Sequence, residues 1–325
     1  MTRRNLIAGS MGLAAGAATG LPFLVPKYDR DRRPPRSRVA ILHADTYSER
    51  LEGDLMNGLR LFNLDVRGKT VLLKPNLVDF SPGAAINTHP LLVVAAAQCF
   101  RQLGAASVTI AEGPGHRRDT EWVLRETGFR ALLDEQRIPF VDLNRDELAK
   151  IKLRANYTGL GYLWLPRTVF QSDFVVSMPK VKTHHWSGIT LSMKNMFGVV
   201  PGAKYGWPKN VLHWRDIESS IVDICATVPV HFVIADAIVA MEGNGPLAGT
   251  SRAHGKVVLS DDPIAADATC ARLMGFEPER IAHVRETAKF LGNAAPELID
   301  LLAHPITSPE TPFRTAPEFE YLRVR

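Results

Sequence analysis

Short apolar runs alternate along this chain with longer segments whose apolar residues recur at helical spacing. The short runs predict buried strands at 38–42, 70–76, 107–112, 139–142, 173–177, 231–236 and 256–260. The longer segments predict helices at 48–62, 91–103, 120–136, 211–224 and 264–274. Strands that alternate with helices are typical of βαβ units. The pattern therefore predicts an α/β fold with a mostly parallel central sheet, flanking helices and, from 157–165, a hairpin that adds antiparallel strands.

The two ends of the chain differ in pattern from the middle. Arg3 and Arg4 precede a weakly apolar run, which resembles a twin-arginine export signal; the alternative is a chance arginine pair in a disordered leader. We expect a signal or anchor at 1–26, a basic proline-rich linker at 27–38, one α/β domain at 39–300 and, after a last helix beyond Asn293, an extended tail at 301–325. Such a leader implies the twin-arginine machinery as a partner, a periplasmic or extracytoplasmic location, and membrane contact only through the N-terminus.

The net charge of +5 is concentrated in the leader. Residues 1–38 contain eight Lys/Arg and two Asp/Glu, so the remaining chain has a net charge of −1. Because residues 39–325 have no excess positive charge, electrostatics give no support for nucleic-acid binding by this part of the chain. Cys99, Cys225 and Cys270 stand singly without metal-ligand spacing, so the cysteines indicate neither a zinc site nor an iron–sulfur cluster.

Polar side chains follow several of the predicted strands directly, and the densest group lies in the segment 178–202. There, lysines and two adjacent histidines are interleaved with Gly, Ser and Thr. Open α/β sheets bind ligands outside the carboxyl ends of their strands, whereas a solvated basic loop would be the structural alternative. We therefore expect one cleft lined by Lys74, Asn76, Glu112, His184, Lys194, His213 and Glu242.

The histidines in this group allow three interpretations. His184, His185 and His213 suit acid–base catalysis or metal binding, or they only satisfy hydrogen bonds in the core. A metal would need a third and a fourth ligand, for which Glu112, Asp236 and Glu242 are the candidates.

The lysines suit an anionic partner. Side chains of this type clamp a carboxylate or a phosphate, and one whose pKa is lowered by burial can form an imine with a carbonyl. The candidates are Lys180, Lys182, Lys194 and Lys204. Met193 and Met196 flank Lys194 and indicate a partly buried stem. Lys194 is therefore expected to meet Glu112, Glu242 or an anionic ligand.

Three blocks of the sequence resemble the domain-of-unknown-function family 362, DUF362. They are LLKPNLV at 72–78, MPKVKTHHWSGITLSMKNMFGVVPG at 178–202 and DAIVAMEGNGPLAG at 236–249. Many members of that family carry an appended ferredoxin-like domain with CxxCxxC runs, and this chain has no such run. The resemblance therefore implies the family's main domain without an iron–sulfur cluster.

The central block is also similar to the catalytic domain of nickel-dependent lactate racemases. His184, Gly188, Lys194 and the Pro-Gly pair at 201–202 match the spacing of that family's His, Gly, Lys and Pro-Gly. There, the lysine tethers a nickel-pincer nucleotide, one histidine binds the metal, and paired histidines exchange a proton with a 2-hydroxy acid. The resemblance implies a cofactor or substrate role for Lys194 and acid–base or metal roles for His184 and His213.

This chain departs from the racemase pattern beside the lysine. Met193 and Asn195 stand where that family has glycine and arginine. The residues that the sequence predicts to bind a cofactor are Lys194, Asn195, Gly198, Gly202 and Asn76.

Taken together, these patterns predict an exported or membrane-tethered enzyme that acts on a small anionic substrate, a carboxylate or a phosphate. Its chemistry would be Lys/His acid–base or metal-assisted. The predicted catalytic residues are His184, Lys194, His213 and Lys74, and the predicted ligands of a divalent metal are His184, His185, Glu112 and Glu242. The alternatives are a non-catalytic metal- or anion-binding protein and a structural or scaffolding role.

Overall fold

The computed structural model describes residues 34–115, 117–207, 209–307, 309 and 311–324. The export signal predicted at 1–26 and most of the linker lie outside this range. Within it the chain forms twelve strands: β1 Ser37–His43, β2 Thr70–Pro75, β3 Ser107–Glu112, β4 Phe140–Asp142, β5 Leu148–Lys152, β6 Tyr162–Pro166, β7 Phe174–Met178, β8 Lys180–His184, β9 Gly188–Thr190, β10 Phe232–Asn244, β11 Ala248–Ser260 and β12 Ile299–Leu301.

The main sheet is parallel through its centre and antiparallel at one side. Its order is β12-β1-β11-β10-β7-β2-β3-β4, with β8 paired to β10 and β9 paired to β8. The pairs from β10 through β7, β2, β3 and β4 are all parallel, and β8 is parallel to β10. In contrast, β11 runs antiparallel to both of its neighbours, β1 and β10. The prediction of a mostly parallel sheet with antiparallel additions is confirmed.

Helices and short 3-10 turns connect the strands across the described residues. The helices are α1 Leu51–Arg60, α2 Pro90–Gln102, α3 Thr120–Glu126, α4 Phe129–Glu135, α5 Arg167–Gln171, α6 Ser192–Asn195, α7 Gly202–Tyr205, α8 Asn210–Trp214, α9 Ile217–Thr227, α10 Pro263–Leu273 and α11 Ala282–Thr287. Two helices predicted as continuous are divided. Gly128 takes a left-handed conformation, φ 78°, between α3 and α4. Asp216 ends the first half of the other helix and caps α9, where its carboxylate accepts a hydrogen bond from Ser219 N.

Both faces of the main sheet are buried. Leu72 on β2 and Val175 on β7 pack into one hydrophobic cluster, whereas Val71 and Leu73 pack into the other. This alternation follows from the two-residue period of a strand. Parallel strands covered on both faces read as nearly continuous apolar runs, which is why the sequence marked them clearly.

Three regions differ from their prediction. The hairpin is formed by β5 and β6, which make a sheet of their own and do not extend the main sheet. The helix expected beyond Asn293 is a 3-10 turn followed by β12, which pairs with β1. The tail is not simply extended, because Pro317–Leu322 forms a 3-10 helix and Phe313 and Leu322 are buried. No helix in the described ranges has the length and apolar character needed to span a bilayer.

Candidate functional site

A cavity of about 130 Å³ lies where three strands of the main sheet end. Asn76 follows β2, Gly113 follows β3 and His184 is the last residue of β8, and all three line the cavity. This is the position in which open α/β sheets bind ligands. A cavity of this size has room for several water molecules, so it suits a small molecule. We call it the cleft.

Lys74 and Glu112 form a buried ion pair beside the cleft. The Nζ–Oε2 distance is 2.7 Å, and the two side chains are 0% and 1% exposed. Lys74 Nζ also donates to Pro75 O at 3.0 Å and to Asn195 Oδ1 at 3.1 Å. Glu112 Oε2 in turn accepts a hydrogen bond from Leu77 N. Glu112 lines the cleft, whereas Lys74 lies behind it and is fully bonded.

Lys194 reaches the cleft from a single helical turn, α6. The buried carboxylate of Asp267 accepts hydrogen bonds from Ser192 N at 2.7 Å and Met193 N at 3.0 Å, which fixes the start of the turn. At its end, the Asn195 amide donates to β2 and β7. The segment is therefore helical here, and the preceding strand, β9, ends at Thr190.

Three lysines that line the cleft have no carboxylate at ion-pair distance within the described residues. Lys182 donates to one backbone carbonyl at 2.7 Å. Lys209 donates to Phe197 O at 2.9 Å and to Gly113 O at 3.3 Å. The ammonium of Lys194 lies 4.2 Å from the centre of the Phe197 ring. The cleft thus gathers cationic groups whose charge no acidic side chain offsets directly.

Burial lowers the pKa of all three lysines. The pKa of Lys182 falls well below its usual range, because desolvation and the neighbouring Lys194 both disfavour the ammonium. Desolvation lowers the pKa of Lys194 to about 8 and that of Lys209 to about 7. A bound anion would reverse this effect, since an opposite charge favours the ammonium form.

The neutral rings of His184 and His185 carry their proton on different nitrogens. His184 Nδ1 accepts from Trp186 N at 3.0 Å, so the neutral ring carries its proton on Nε2. His185 Nδ1 lies 2.7 Å from Gly245 O, which can only accept, so its Nε2 holds a lone pair when the ring is neutral. Burial and the nearby Lys194 hold the pKa of His184 well below its usual range. The pair therefore supplies one proton donor and one base.

His213 is the third histidine that lines the cleft. It lies on α8, and its Nδ1 is 3.1 Å from Lys209 O. Its ring packs edge-on against Trp186, with 4.9 Å between ring centres.

Two buried polar atoms of the cleft lack a hydrogen-bond partner among the described residues. They are Asn76 Oδ1 and Thr190 Oγ1, on side chains that are 8% and 4% exposed. A buried polar atom without a partner is costly unless something else satisfies it. Water or a polar ligand in the cleft would satisfy these atoms.

Most of the predicted cleft residues do come together. Of that set, Asn76, Glu112, His184, Lys194 and His213 line the cleft, and so do the predicted Asn195, Gly198 and His185. Glu242 does not, because Arg252 and Arg314 hold its carboxylate at 2.8 Å each on the outer part of β10. Gly202 also lies outside, with its N–H donated to Asn144.

The acid expected as one partner of Lys194 is not at ion-pair distance among the described residues, and the other expected partner, an anionic ligand, stays a prediction. Glu112 is held by Lys74 and Glu242 by two arginines, so neither carboxylate is free to reach it. Lys194 is half-buried and rests against the Phe197 ring.

The predicted metal ligands do not form a metal centre. Over the described parts of the chain, no three His, Cys, Asp or Glu side chains are placed to hold a metal ion together. His184 and His185 adjoin each other, but Glu112 is bound by an ammonium and Glu242 lies elsewhere. A pair of histidines surrounded by lysines is a poor donor set for a cation.

Lys209 was missed by the sequence analysis. It follows a Gly-Trp-Pro stretch and directly precedes α8, the helix that carries the predicted His213. Its position in a glycine- and proline-rich turn before a helix was the available signal. Lys180, which the sequence grouped with the other lysines, instead forms a buried pair with Asp236 at 2.6 Å and does not line the cleft.

Comparisons with known proteins agree with the three sequence blocks. The family model described as "Domain of unknown function (DUF362)" matches residues 71–272. The chain is 28% identical over 282 residues to a thylakoid-associated protein of Synechocystis sp., and the match covers 82% of this chain and 84% of that protein.

Two solved structures share a more distant likeness. One is the lactate racemase apoprotein from Thermoanaerobacterium thermosaccharolyticum, at 13% identity and a TM-score of 0.43, covering 71% of this chain and 58% of that one. The other is a Thermotoga maritima protein, at 15% identity and a TM-score of 0.38, covering 70% and 59%. The chain therefore spans about three fifths of the length of these structures.

Proposed function

This chain belongs to the DUF362 family, and within it we propose that the chain is an enzyme that acts on a small anionic substrate by Lys/His acid–base chemistry. The observation that carries the proposal is the set of three lysines, Lys182, Lys194 and Lys209, that face one small cleft without a carboxylate partner. Burial lowers the pKa of these lysines, and a negatively charged partner beside them favours the ammonium form. A carboxylate or phosphate in the cleft is a partner of that kind.

The lysines and the histidines have different parts in this proposal. Lys194 is the most exposed of the three lysines and makes no hydrogen bond within the described chain, so its ammonium is free to pair with the anion. Asn76 and Thr190 add polar groups that need partners. A non-catalytic anion binder would need only these residues. The donor and base supplied by His184 and His185 favour catalysis over binding alone.

Replacing Lys194 with methionine tests the proposal. The change removes the anion's partner but leaves no acid behind, so the variant should melt as the wild type does. Binding of inorganic phosphate and of oxalate, measured by titration calorimetry, should weaken at least about tenfold, equivalent to about 1.4 kcal/mol.

Lys204→Met is the matched control, because Lys204 is exposed and does not line the cleft. It removes the same charge and should leave binding unchanged. A folded Lys194→Met protein that binds both anions as tightly as the wild type would exclude the proposed role. A loss of stability would instead assign Lys194 a structural role.

The proposal extends to location outside the cytoplasm. Arg3 and Arg4 before a weakly apolar run support export through the twin-arginine route. The name of the Synechocystis relative, a thylakoid-associated protein, is compatible with a membrane-associated setting. That route carries folded proteins, so the cleft would be complete before export.

Changing both arginines to lysine should stop export. The full-length protein should then accumulate in the cytoplasm, as measured by fractionation and immunoblotting. The same change at Arg32 and Arg33 in the linker is the control and should have no effect. An unaltered extracytoplasmic amount of the Arg3, Arg4 variant would show that this pair is not an export signal.

A further inference from the structure

We propose that Lys209 is an amine nucleophile that forms an imine with an anionic substrate bearing an aldehyde or ketone carbonyl. This inference rests on the proposed function and specifies its substrate class. Lys209 is a residue of the cleft, 3% exposed, and it was not among the lysines that the sequence suggested.

The hydrogen bonds of the buried lysines separate Lys209 from the others. Lys74 and Lys180 each donate to three acceptors, one of them a carboxylate. Three acceptors and a negative charge match the three hydrogens of an ammonium. Lys209 has two acceptors, both backbone carbonyls, Gly113 O and Phe197 O. Two acceptors match the two hydrogens of a neutral amine and leave its lone pair in the remaining direction.

The other two cleft lysines lack this arrangement. Lys182 donates to one carbonyl, which leaves the orientation of a lone pair open, and its side chain is 0% exposed. Lys194 lies over the face of the Phe197 ring, which favours the charged ammonium. Lys194 is therefore suited to bind the anionic group, and Lys209 to attack the carbonyl.

The backbone conformation of Lys209 indicates that the surrounding structure constrains this residue. Lys209 has φ 73° and ψ 48°, the left-handed conformation that residues other than Gly, Asn and Asp rarely adopt. Such conformations persist where the surrounding structure over-determines them and are concentrated at functional sites. Burial also lowers the pKa of Lys209 to about 7, so a large fraction of the side chain is the neutral amine at neutral pH.

The reaction needs only the amine, the carbonyl compound and one proton from solvent. The Nζ lone pair adds to the carbonyl carbon, a C–N bond forms, and the carbonyl oxygen takes up a proton from the nitrogen to give a carbinolamine. The hydroxyl then takes a second proton, from solvent, and leaves as water while the nitrogen electrons form the C=N bond. The product is a protonated imine, in which the nitrogen carries the positive charge.

Reductive trapping of the full chain tests this inference. Glyoxylate, pyruvate and dihydroxyacetone phosphate are supplied separately with cyanoborohydride, which converts an imine to a stable secondary amine. Peptide mass spectrometry should find an adduct on Lys209 with at least one of them. Oxalate or inorganic phosphate should block it by competition. The labelling rate should rise as the pH passes through about 7, since the neutral amine reacts, whereas exposed lysines titrate at about 10.4.

Two comparisons keep the test decisive even if variants of Lys209 fold poorly. The wild-type adduct is the primary result, and Lys204 in the same sample reports the background rate of an exposed lysine. Lys209→Arg removes the nucleophilic amine, so a folded variant should give no adduct at position 209.

The outcomes separate this inference from the function on which it rests. Binding of phosphate or oxalate without any adduct at Lys209 would overturn the imine and leave the anion site standing. An adduct at Lys194 or Lys182 in place of Lys209 would overturn the assignment of the nucleophile. Absence of both binding and adduct would overturn the two proposals together.

Discussion

Replacing Lys74 with methionine should lower the free energy of unfolding by about 3–5 kcal/mol, which is the usual cost of breaking a buried ion pair by removing one partner. Lys74 and Glu112 are 0% and 1% exposed and lie 2.7 Å apart. The variant would leave the Glu112 carboxylate buried against the backbone of Leu77 without its counter-charge. Urea unfolding of both proteins would measure the difference.

The double variant Lys74→Met, Glu112→Leu separates charge from packing. Removing both charges should recover most of the lost stability, because no uncompensated ion remains. Lys289→Met is the surface control, since Lys289 pairs with Glu286 while 60% exposed and should change stability little. If Lys74→Met cost no more than Lys289→Met, the buried pair would not support the fold.

This result would also define the role of Lys74. The sequence predicted a catalytic lysine there, but Lys74 makes three hydrogen bonds and lies behind Glu112, outside the cleft lining. A stability effect of the expected size would assign Lys74 to positioning: it would hold Glu112 and Asn195 at the edge of the cleft.

The central parallel strands β2, β3 and β7 were predictable because they are apolar runs whose residues are mostly buried, whereas β8, β9 and β12 were not predicted. The full lengths of β10 and β11 were harder to predict, because the predicted part of β10 ends at Asp236 and that of β11 begins at Lys256. Val239–Asn244 of β10 pairs with Ala248–Ala253 of β11, and the second segment consists of small and polar, partly exposed residues that do not form an apolar run. Both strands are extended by pairing with each other, and the local sequence pattern does not contain this information.

The residues of the cleft that lie at the ends of strands were predictable from the sequence. Asn76, Glu112 and His184 follow or end parallel strands, and the parallel arrangement brings them together. Glu242 was predicted to line the cleft as well, because it also follows an apolar run. However, β10 continues beyond the sheet edge, and Arg252 and Arg314 bind the carboxylate there. Arg314 is 72 residues away in sequence, so this contact depends on how the C-terminus folds back.

Gly245 links the fold to the histidines of the cleft. Its carbonyl accepts hydrogen bonds from His185 N at 3.0 Å and His185 Nδ1 at 2.7 Å, and the next two residues, Pro246 and Leu247, line the cleft. A side chain cannot be accommodated here. A Cβ on Gly245 would clash with Thr183 O, a backbone atom of β8.

Gly245→Ala should therefore both destabilise the protein and disable the cleft. Because the obstructing atom is backbone, either β8 or the 245–247 turn must move, and the expected loss is about 3 kcal/mol, at the upper end for overpacking. Movement of the turn also withdraws the acceptor that orients His185, so phosphate binding should weaken in the protein that remains folded. Gly53→Ala is the control: Gly53 lies in α1 with open space around it, and alanine favours helix. A Gly245→Ala protein as stable as the Gly53→Ala protein, with unchanged phosphate binding, would show that the turn does not hold His185 in place.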